Sequence, residues 1–555
     1  MIYIPYIFWS MATRSDIANM IYPEITKTIE EYEAQYPQRS EKVVSRFGPS
    51  PTGFLHIWGV FASFVEQKIA KQSDGIFFLR IEDTDQKRLV EGSIELIIKY
   101  YEIFGIEVDE GPFGPDHADV GNYGPYIQSK RKSIYETFVK SLIERGLAYP
   151  CWMSTEEIDK IRDIQMKSKI TPGIYGNYSV WRNKTPDEIA AQLQVDQNYI
   201  IRFRSPADLT ARVVFDDLVK EKVSMIDNFN DIVLIKADGL PTYHLAHVVD
   251  DHLMRTTHVI RGEEWLTSVP LHLQLFGAFG FTAPQYAHLA PILKLDNGNK
   301  RKLSKRHDPE ADVGYLFEQG FSMQGIIEYL LTIIDSSFEA WQQANPDKNY
   351  RDYDIALERM NKSGALFDEV KLQSVNNNYL SRISTDDLYN QALNWAEQYR
   401  PSLAIIMKKD PEYTKAALGI ERHTEKDPKR FTTFQDIETQ LLFFYDDQRE
   451  ILSKEKPVLP DIFTPELITS FVNQYSSQLN LDLSLEDWFA QLKEIGKPLG
   501  FAATNGEFKE GGYIGKVWDL AMFLRVQLCC ATRTPDLYSV MKVLWKDRVI
   551  ERLRS

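Results

Sequence analysis

The sequence predicts an α/β protein: a Rossmann-like nucleotide-binding domain, split by an insertion and followed by an all-α C-terminal region. Three observations lead there. Residues 43–69 read as strand, tight turn and helix, a unit that places a ligand where a strand ends and a helix begins. Buried-strand patterns recur at Ile76–Arg80 and Ile232–Ala237, separated by a long stretch of different texture. From about residue 376 onward amphipathic helical patterns dominate, as in 436–454 and 517–529, and strand alternation is absent.

Taken in order, Met1 to Ser10 is apolar but lacks the basic segment and cleavage site of a signal peptide, and Met11 is expected to be the native start. Residues 12–42 are polar and rich in Tyr and Glu, helical in part. Val43 to Phe47 reads as a strand because β-branched and aromatic residues crowd it. Pro49, Pro51 and Gly53 forbid its continuation. An apolar stripe at Val60, Phe61, Phe64, Val65 and Ile69 then recurs at helical spacing, with the helix expected to start near Gly59. The first-turn N–H groups of such a helix favour phosphate. Ile76 to Arg80 is a second buried strand running into the acidic turn Glu82-Asp83-Thr84-Asp85, and Ser93 to Phe104 is a helix. Tyr126 to Tyr149 reads as one or two helices, Cys151 to Asn183 as irregular, and Arg202 to Val219 as strands.

Composition bounds the function. A chain of 555 residues with 43% apolar and 26% charged residues is an ordinary globular protein of three to five domains. No apolar run approaches the ~20 residues of a membrane span. Cys151, Cys529 and Cys530 supply no disulfide framework, so a reducing cytoplasm is expected. The net charge of −15 argues against a nucleic-acid partner taken globally, but phosphate contact needs only a local basic track. Such a track runs from Lys294 to His307, with six Lys/Arg and one acid.

The chemistry-bearing stretches are Pro-Ser-Pro-Thr-Gly-Phe-Leu-His-Ile-Trp-Gly at 49–59 and Lys-Leu-Ser-Lys-Arg at 302–306. Together they resemble the two signature motifs of class I aminoacyl-tRNA synthetases, written HIGH and KMSKS. Arg-Ile-Glu-Asp-Thr-Asp at 80–85, Pro-Thr-Tyr-His-Leu-Ala at 241–246 and Val-Ile-Arg-Gly-Glu-Glu-Trp at 259–265 make the likeness closest to the bacterial-type glutamyl branch. These matches keep family order from about residue 43 to 310.

The resemblance implies an extension at 1–42, a nucleotide-binding domain in two halves (43–122 and 230–265), an acceptor-end-binding insertion at 123–229, a stem-contact region with the basic loop at 266–375, and a helical anticodon-binding region at 376–555. It also implies a two-step reaction: L-glutamate attacks the α-phosphate of ATP, and the glutamyl group then passes to the 3′ end of tRNA(Glu). Acceptance of tRNA(Gln) is left open. Exchange of ATP with pyrophosphate is expected only when tRNA is present. A cytoplasmic monomer without membrane contact is expected.

Each role is carried over at a matching position. His56 and Gly59 suit the α-phosphate side of ATP, and Lys305 the departing pyrophosphate. Lys302 assists, and Ser304 offers a hydroxyl. Arg46 suits a bidentate carboxylate clamp, and Arg261 is a second Arg aimed at the same cleft. Glu82 would accept from the substrate ammonium, with Tyr243, Ser50 and His247 adding hydrogen bonds. Magnesium is expected to arrive with ATP.

His244, His247, Asp250, Asp251 and His252 cluster, and His247 and Asp251 share a helix face at i, i+4. Val248 at the matching offset from His244 is no ligand, so no metal site is expected there. Structural zinc is not expected either. Some family members hold it in the insertion with several cysteines, whereas here Met153 and Val180 stand beside a lone Cys151.

Two departures stand out. Trp58 occupies a signature position that is Gly in the family, and its indole must swing away, stack on adenine or obstruct it. His247 replaces a common Asn, and a histidine titrating near neutrality would make the glutamate requirement pH-dependent. Three other readings compete. The glutaminyl branch is disfavoured by Pro-Ser-Pro-Thr-Gly and by the lack of a β-rich C-terminus. A shortened relative that glutamylates a modified tRNA base lacks the roughly 180 residues found here beyond 375. A tRNA-binding paralogue without catalysis would have no reason to keep His56, Lys302, Lys305, Arg46, Glu82 and Arg261 together.

Overall fold

The computed structural model describes residues 11–53, 56–304, 307–424 and 427–555. The chain forms two compact units: residues 1–313 with 331–343 and 351–367, and residues 314–330 with 344–350 and 368–555. The expected native start at Met11 concerns residues 1–10, which lie outside the described part.

The first unit opens with helices α1 (Arg14–Ile21) and α2 (Ile29–Gln35), each started by a Thr capping box. Strand β1 (Val44–Phe47), helix α3 (Ile57–Lys71) and strand β2 (Ile76–Leu79) follow, with β1 and β2 parallel, as a crossover helix requires. The helix α3 begins at Ile57 rather than near Gly59, because His56 is its N-cap: the Trp58 N–H donates to His56 Nδ1 at 3.0 Å. Lys68 and Lys71 sit in its last turn, where cations are favoured. Helix α4 spans Ser93–Phe104, as the periodicity predicts.

The next segment departs from expectation. After α5 (Lys132–Glu144) the chain turns into β3 (Ala148–Cys151), and the stretch read as irregular contains α6 (Thr155–Lys167). Helix α6 is mostly solvent-facing, with a narrow stripe of half-buried Ile158 and Ile161, which is why periodicity missed it; its Ser154–Glu157 capping box was the legible signal. Helix α7 (Pro186–Val195), strand β4 (Ile200–Phe203) and the hairpin β5 (Arg212–Asp217) with β6 (Glu221–Ile226) complete the insertion.

The nucleotide fold resumes with β7 (Val233–Ile235), α8 (Tyr243–Leu253), β8 (His258–Gly262), α9 (Val269–Phe279) and β9 (Gln285–Leu289). Strands β8 and β9 are parallel, and Asp217 of β5 pairs with Tyr286 of β9. The Thr257 N–H donates to the Val44 carbonyl at 2.9 Å, tying β8 to β1. Strands β10 (Ile292–Asp296) and β11 (Asn299–Lys302) form the hairpin that leads into the basic loop.

The second unit is helical. Its core is built from faces of helices such as Thr385–Tyr399, Pro465–Gln478 and Val517–Cys529, with Trp395, Tyr475, Phe523 and Leu524 buried. The pattern read as continuous over 436–454 breaks into Gln435–Leu441, a 3₁₀ turn and Asp446–Ser453. Among the described residues no helix is long and apolar enough to cross a membrane.

Beneath the nucleotide-binding half lies a buried ionic network. Asp250 accepts from Arg131 Nε (2.7 Å), Gln128 Nε2 (2.8 Å) and the Tyr135 hydroxyl (2.8 Å). Asp251 accepts from Arg46 Nε (3.1 Å) and Arg80 Nη1 (2.6 Å). Removing one partner of such a pair strands a buried charge. Arg131→Met is therefore expected to lower stability by about 3–5 kcal/mol in urea denaturation; a loss under ~1 kcal/mol would show that the network is not structural.

Candidate active site

A cavity of about 1030 Å³ opens where β1 ends and α3 begins. Arg46, Ser50, His56, Gly59, Glu82, Tyr243, Arg261 and Lys302 all line it. Eight residues expected at one site, drawn from positions 46 to 302, thus line one cavity. The approach of the two signatures is direct, since His56 forms an antiparallel bridge with Asp312, just beyond the basic loop. Lys305 lies outside the described residues. Ser304 is not among the lining residues; its N–H donates to Asp308 Oδ2 at 2.9 Å.

Each side chain is aimed by a partner behind it. His56 Nδ1 accepts from the α3 backbone, which leaves the ring proton of the neutral form on Nε2. Arg46 is held by Asp251, and its Nη1 is 3.7 Å from Glu66 Oε1. Burial alone would raise the Asp251 carboxyl, but Arg46 and Arg80 hold it well below the usual carboxylate range. Glu82 accepts from Arg80 Nη2 at 2.9 Å, and burial pushes its carboxyl up against the pull of Arg80 and Arg46. Gly48 leaves room for that carboxylate: a Cβ there would collide with Glu82.

Arg261 donates from Nη1 to the Tyr243 hydroxyl (2.9 Å), from Nη2 to the Trp265 carbonyl (3.2 Å) and from Nε to His288 Nε2 (3.0 Å). His288 Nδ1 is 2.6 Å from Asp217 Oδ2. The carboxylate holds the proton on Nδ1, so Nε2 accepts from the guanidinium. Asp217 and His288 escaped the sequence reading, because a strand end in the insertion and a β9 residue show no shared pattern until the sheet joins them. Asp308 is a third such residue: it receives Arg301 Nη1 and Nη2 at 2.5 and 2.7 Å and so orders the base of the basic loop. Lys302 pairs with Glu264 at 2.8 Å across the cavity rim.

One expectation needs correction, and one set of alternatives is decided. His247 does not line the cavity. It lies fully buried behind Tyr243, with ring centroids 5.6 Å apart, 2.8 Å from Asp251 Oδ2 and 3.1 Å from the Tyr286 hydroxyl. Burial pushes its imidazole down to about 3, despite Asp251. It is neutral near pH 7, so the expected pH-dependence through its titration is not sustained. The Trp58 indole packs inward against Phe61, with centroids 5.8 Å apart and 9% of the residue exposed. It contributes to one wall of a cavity that remains open.

In the insertion, Cys151 and Met153 pack with Tyr149 and Ile174 in a small apolar cluster. Within that set only the Cys151 thiol is an ordinary zinc ligand.

Comparison with known proteins places these features in context. Residues 42–373 match the family model of tRNA synthetases class I (E and Q), catalytic domain. A glutamate–tRNA ligase of Clostridium perfringens is 43% identical over 545 residues, covering 97% of this chain and 99% of the relative. One from Sorangium cellulosum is 42% identical, covering 94% and 97%. The crystal structure of a glutamate tRNA ligase from Elizabethkingia meningosepticum, in complex with its amino acid, superposes with a TM-score of 0.70 at 30% identity, covering 93% and 99%.

The buried histidines carry a stability signature. His244 is pushed down to about 4 and His247 to about 3, both chiefly by burial. Below about pH 6.5 the unfolded chain therefore takes up protons that the native fold refuses, and stability falls as pH drops. The Tm is expected to decline from pH 7 to pH 5, and His247→Asn to decline less steeply. Equal slopes in thermal melts of the two proteins would remove His247 from this account.

Proposed function

The chain belongs to the class I tRNA synthetases of the glutamate and glutamine group, and on that premise we propose that it activates L-glutamate with ATP and transfers the glutamyl group to the 3′ end of tRNA(Glu). The observation that carries this reading is one cavity holding paired guanidinium groups, Arg46 and Arg261, beside a phosphate-facing helix start and Lys302. Its support in kind is the near full-length likeness to relatives named glutamate–tRNA ligase.

Little covalent chemistry falls to the protein; alignment and charge stabilisation do the work. Arg46 and Arg261 take the two carboxylates of glutamate, and Glu82 accepts from its ammonium. A carboxylate oxygen of glutamate attacks the α-phosphorus of ATP, and the bond to the bridging oxygen breaks. The products are glutamyl-adenylate and pyrophosphate. His56 Nε2–H, at the positive end of the α3 dipole, faces the α-phosphate, where negative charge grows. Lys302 and Lys305 follow the pyrophosphate as it departs. Magnesium bound to ATP would shield the phosphates. A ribose hydroxyl of the tRNA end then displaces AMP from the adenylate. We place the protein in the cytoplasm, acting as a monomer, with the helical second unit reading the anticodon.

The test is charging of purified tRNA(Glu) and tRNA(Gln) with labelled glutamate. Glutamyl-tRNA(Glu) is the expected product; none formed with ATP, Mg²⁺ and glutamate at saturation would refute the reading. Lys302→Ala is expected to lower kcat by about 10²-fold with little change in KM for ATP. A change confined to KM would instead make Lys302 a ground-state contact.

A further inference from the structure

One acid in the cavity has no part in the scheme above. Glu66 projects from the middle of α3, is 1% exposed, and lines the cavity. Its Oε1 lies 3.7 Å from Arg46 Nη1, and its Oε2 is buried without a hydrogen-bond partner. A buried carboxyl oxygen left this way costs stability unless something completes it.

We propose that Glu66 works in its acid form as part of the amino-acid pocket, donating a hydrogen bond from its carboxyl group to the substrate carboxylate that Arg46 receives. This rests on the reading of the site as a glutamate site.

Charge count favours the acid form. Arg46, Arg80 and Arg131 bring three positive charges to the network, and Asp250, Asp251 and Glu82 can bring three negative ones. An ionised Glu66 would be a fourth anion beside the same guanidinium, and a substrate carboxylate a fifth. As an acid, Glu66 adds a donor instead of a repulsion. The groups that face it are Arg46 of β1, Arg80 and Glu82 at the end of β2, Asp251 of α8 and Tyr101 of α4. Burial raises the Glu66 carboxyl well above its ordinary value; Arg46 opposes this, while Asp251 and Glu82 reinforce it. A Glu within a buried helical stripe, at Val65-Glu66-Gln67, was the visible sequence signal.

The experiment compares the KM for glutamate of the wild type, Glu66→Gln and Glu66→Leu in tRNA charging from about pH 6 to pH 9. Glutamine keeps a donor at every pH, so Glu66→Gln is expected within about threefold of the low-pH wild-type value and flat with pH. Any rise of the wild-type KM with pH is expected to be absent from Glu66→Gln, because an amide cannot ionise. Glu66→Leu, which keeps no donor, is expected to raise KM about tenfold or more throughout, with kcat little changed. A Glu66→Gln KM raised as far as that of Glu66→Leu, or a Glu66→Leu KM within twofold of the wild type, would overturn the proposal. A wild type that charges no tRNA with glutamate would instead overturn the functional reading on which it rests.

Discussion

The carboxylate of Asp251 is the constraint on which the rest of the site depends. It sits on α8, fully buried, and receives one guanidinium from each of two parallel strands, Arg46 of β1 and Arg80 at the end of β2. Burying any one of these charges alone would be prohibitive, so all three must be placed together. The second half of the nucleotide fold is thereby pinned to the first across some two hundred intervening residues. The same contact aims Arg46 into the cavity, and Arg80 in turn positions Glu82. The buried network and the lining of the cavity thus draw on one set of charges.

A similar logic governs the other wall. Arg261 would be a flexible side chain were its donors not committed to Tyr243, Trp265 and His288. Asp217 selects the tautomer of His288, and Asp217 belongs to the insertion hairpin. The insertion hairpin therefore supports one wall of the cavity through the strand pair between β5 and β9. Fixed dipoles and charges of this kind need no reorganisation when charge develops on a substrate. The buried histidines around Tyr243 stay neutral for the complementary reason: two cationic arginines and little water surround them.

Much of this was legible from the residues. The strand–turn–helix at 43–69, the helix at Ser93–Phe104 and the helix at Val517–Cys529 follow from apolar periodicity, which reports directly on which face is buried. The cavity-lining set was legible by motif, because phosphate and carboxylate chemistry demands particular residue types at strand ends and helix starts. Helix α6 was not legible from periodicity, since a solvent-facing helix has little stripe to read. The break within 436–454 was not legible because a 3₁₀ turn preserves approximate periodicity.

By itself, then, the sequence determined the family, the reaction class and eight of the residues at the cavity, since these are written in local order and residue type. Only the tertiary structure decided how those side chains are charged and supported. It buried His247 behind Tyr243, turned the Trp58 indole against Phe61, set Asp217 behind His288 and brought Glu66 to Arg46. The physical reason is that protonation state, tautomer and aim depend on desolvation and on partners distant in the chain, and neither exists until the fold has closed.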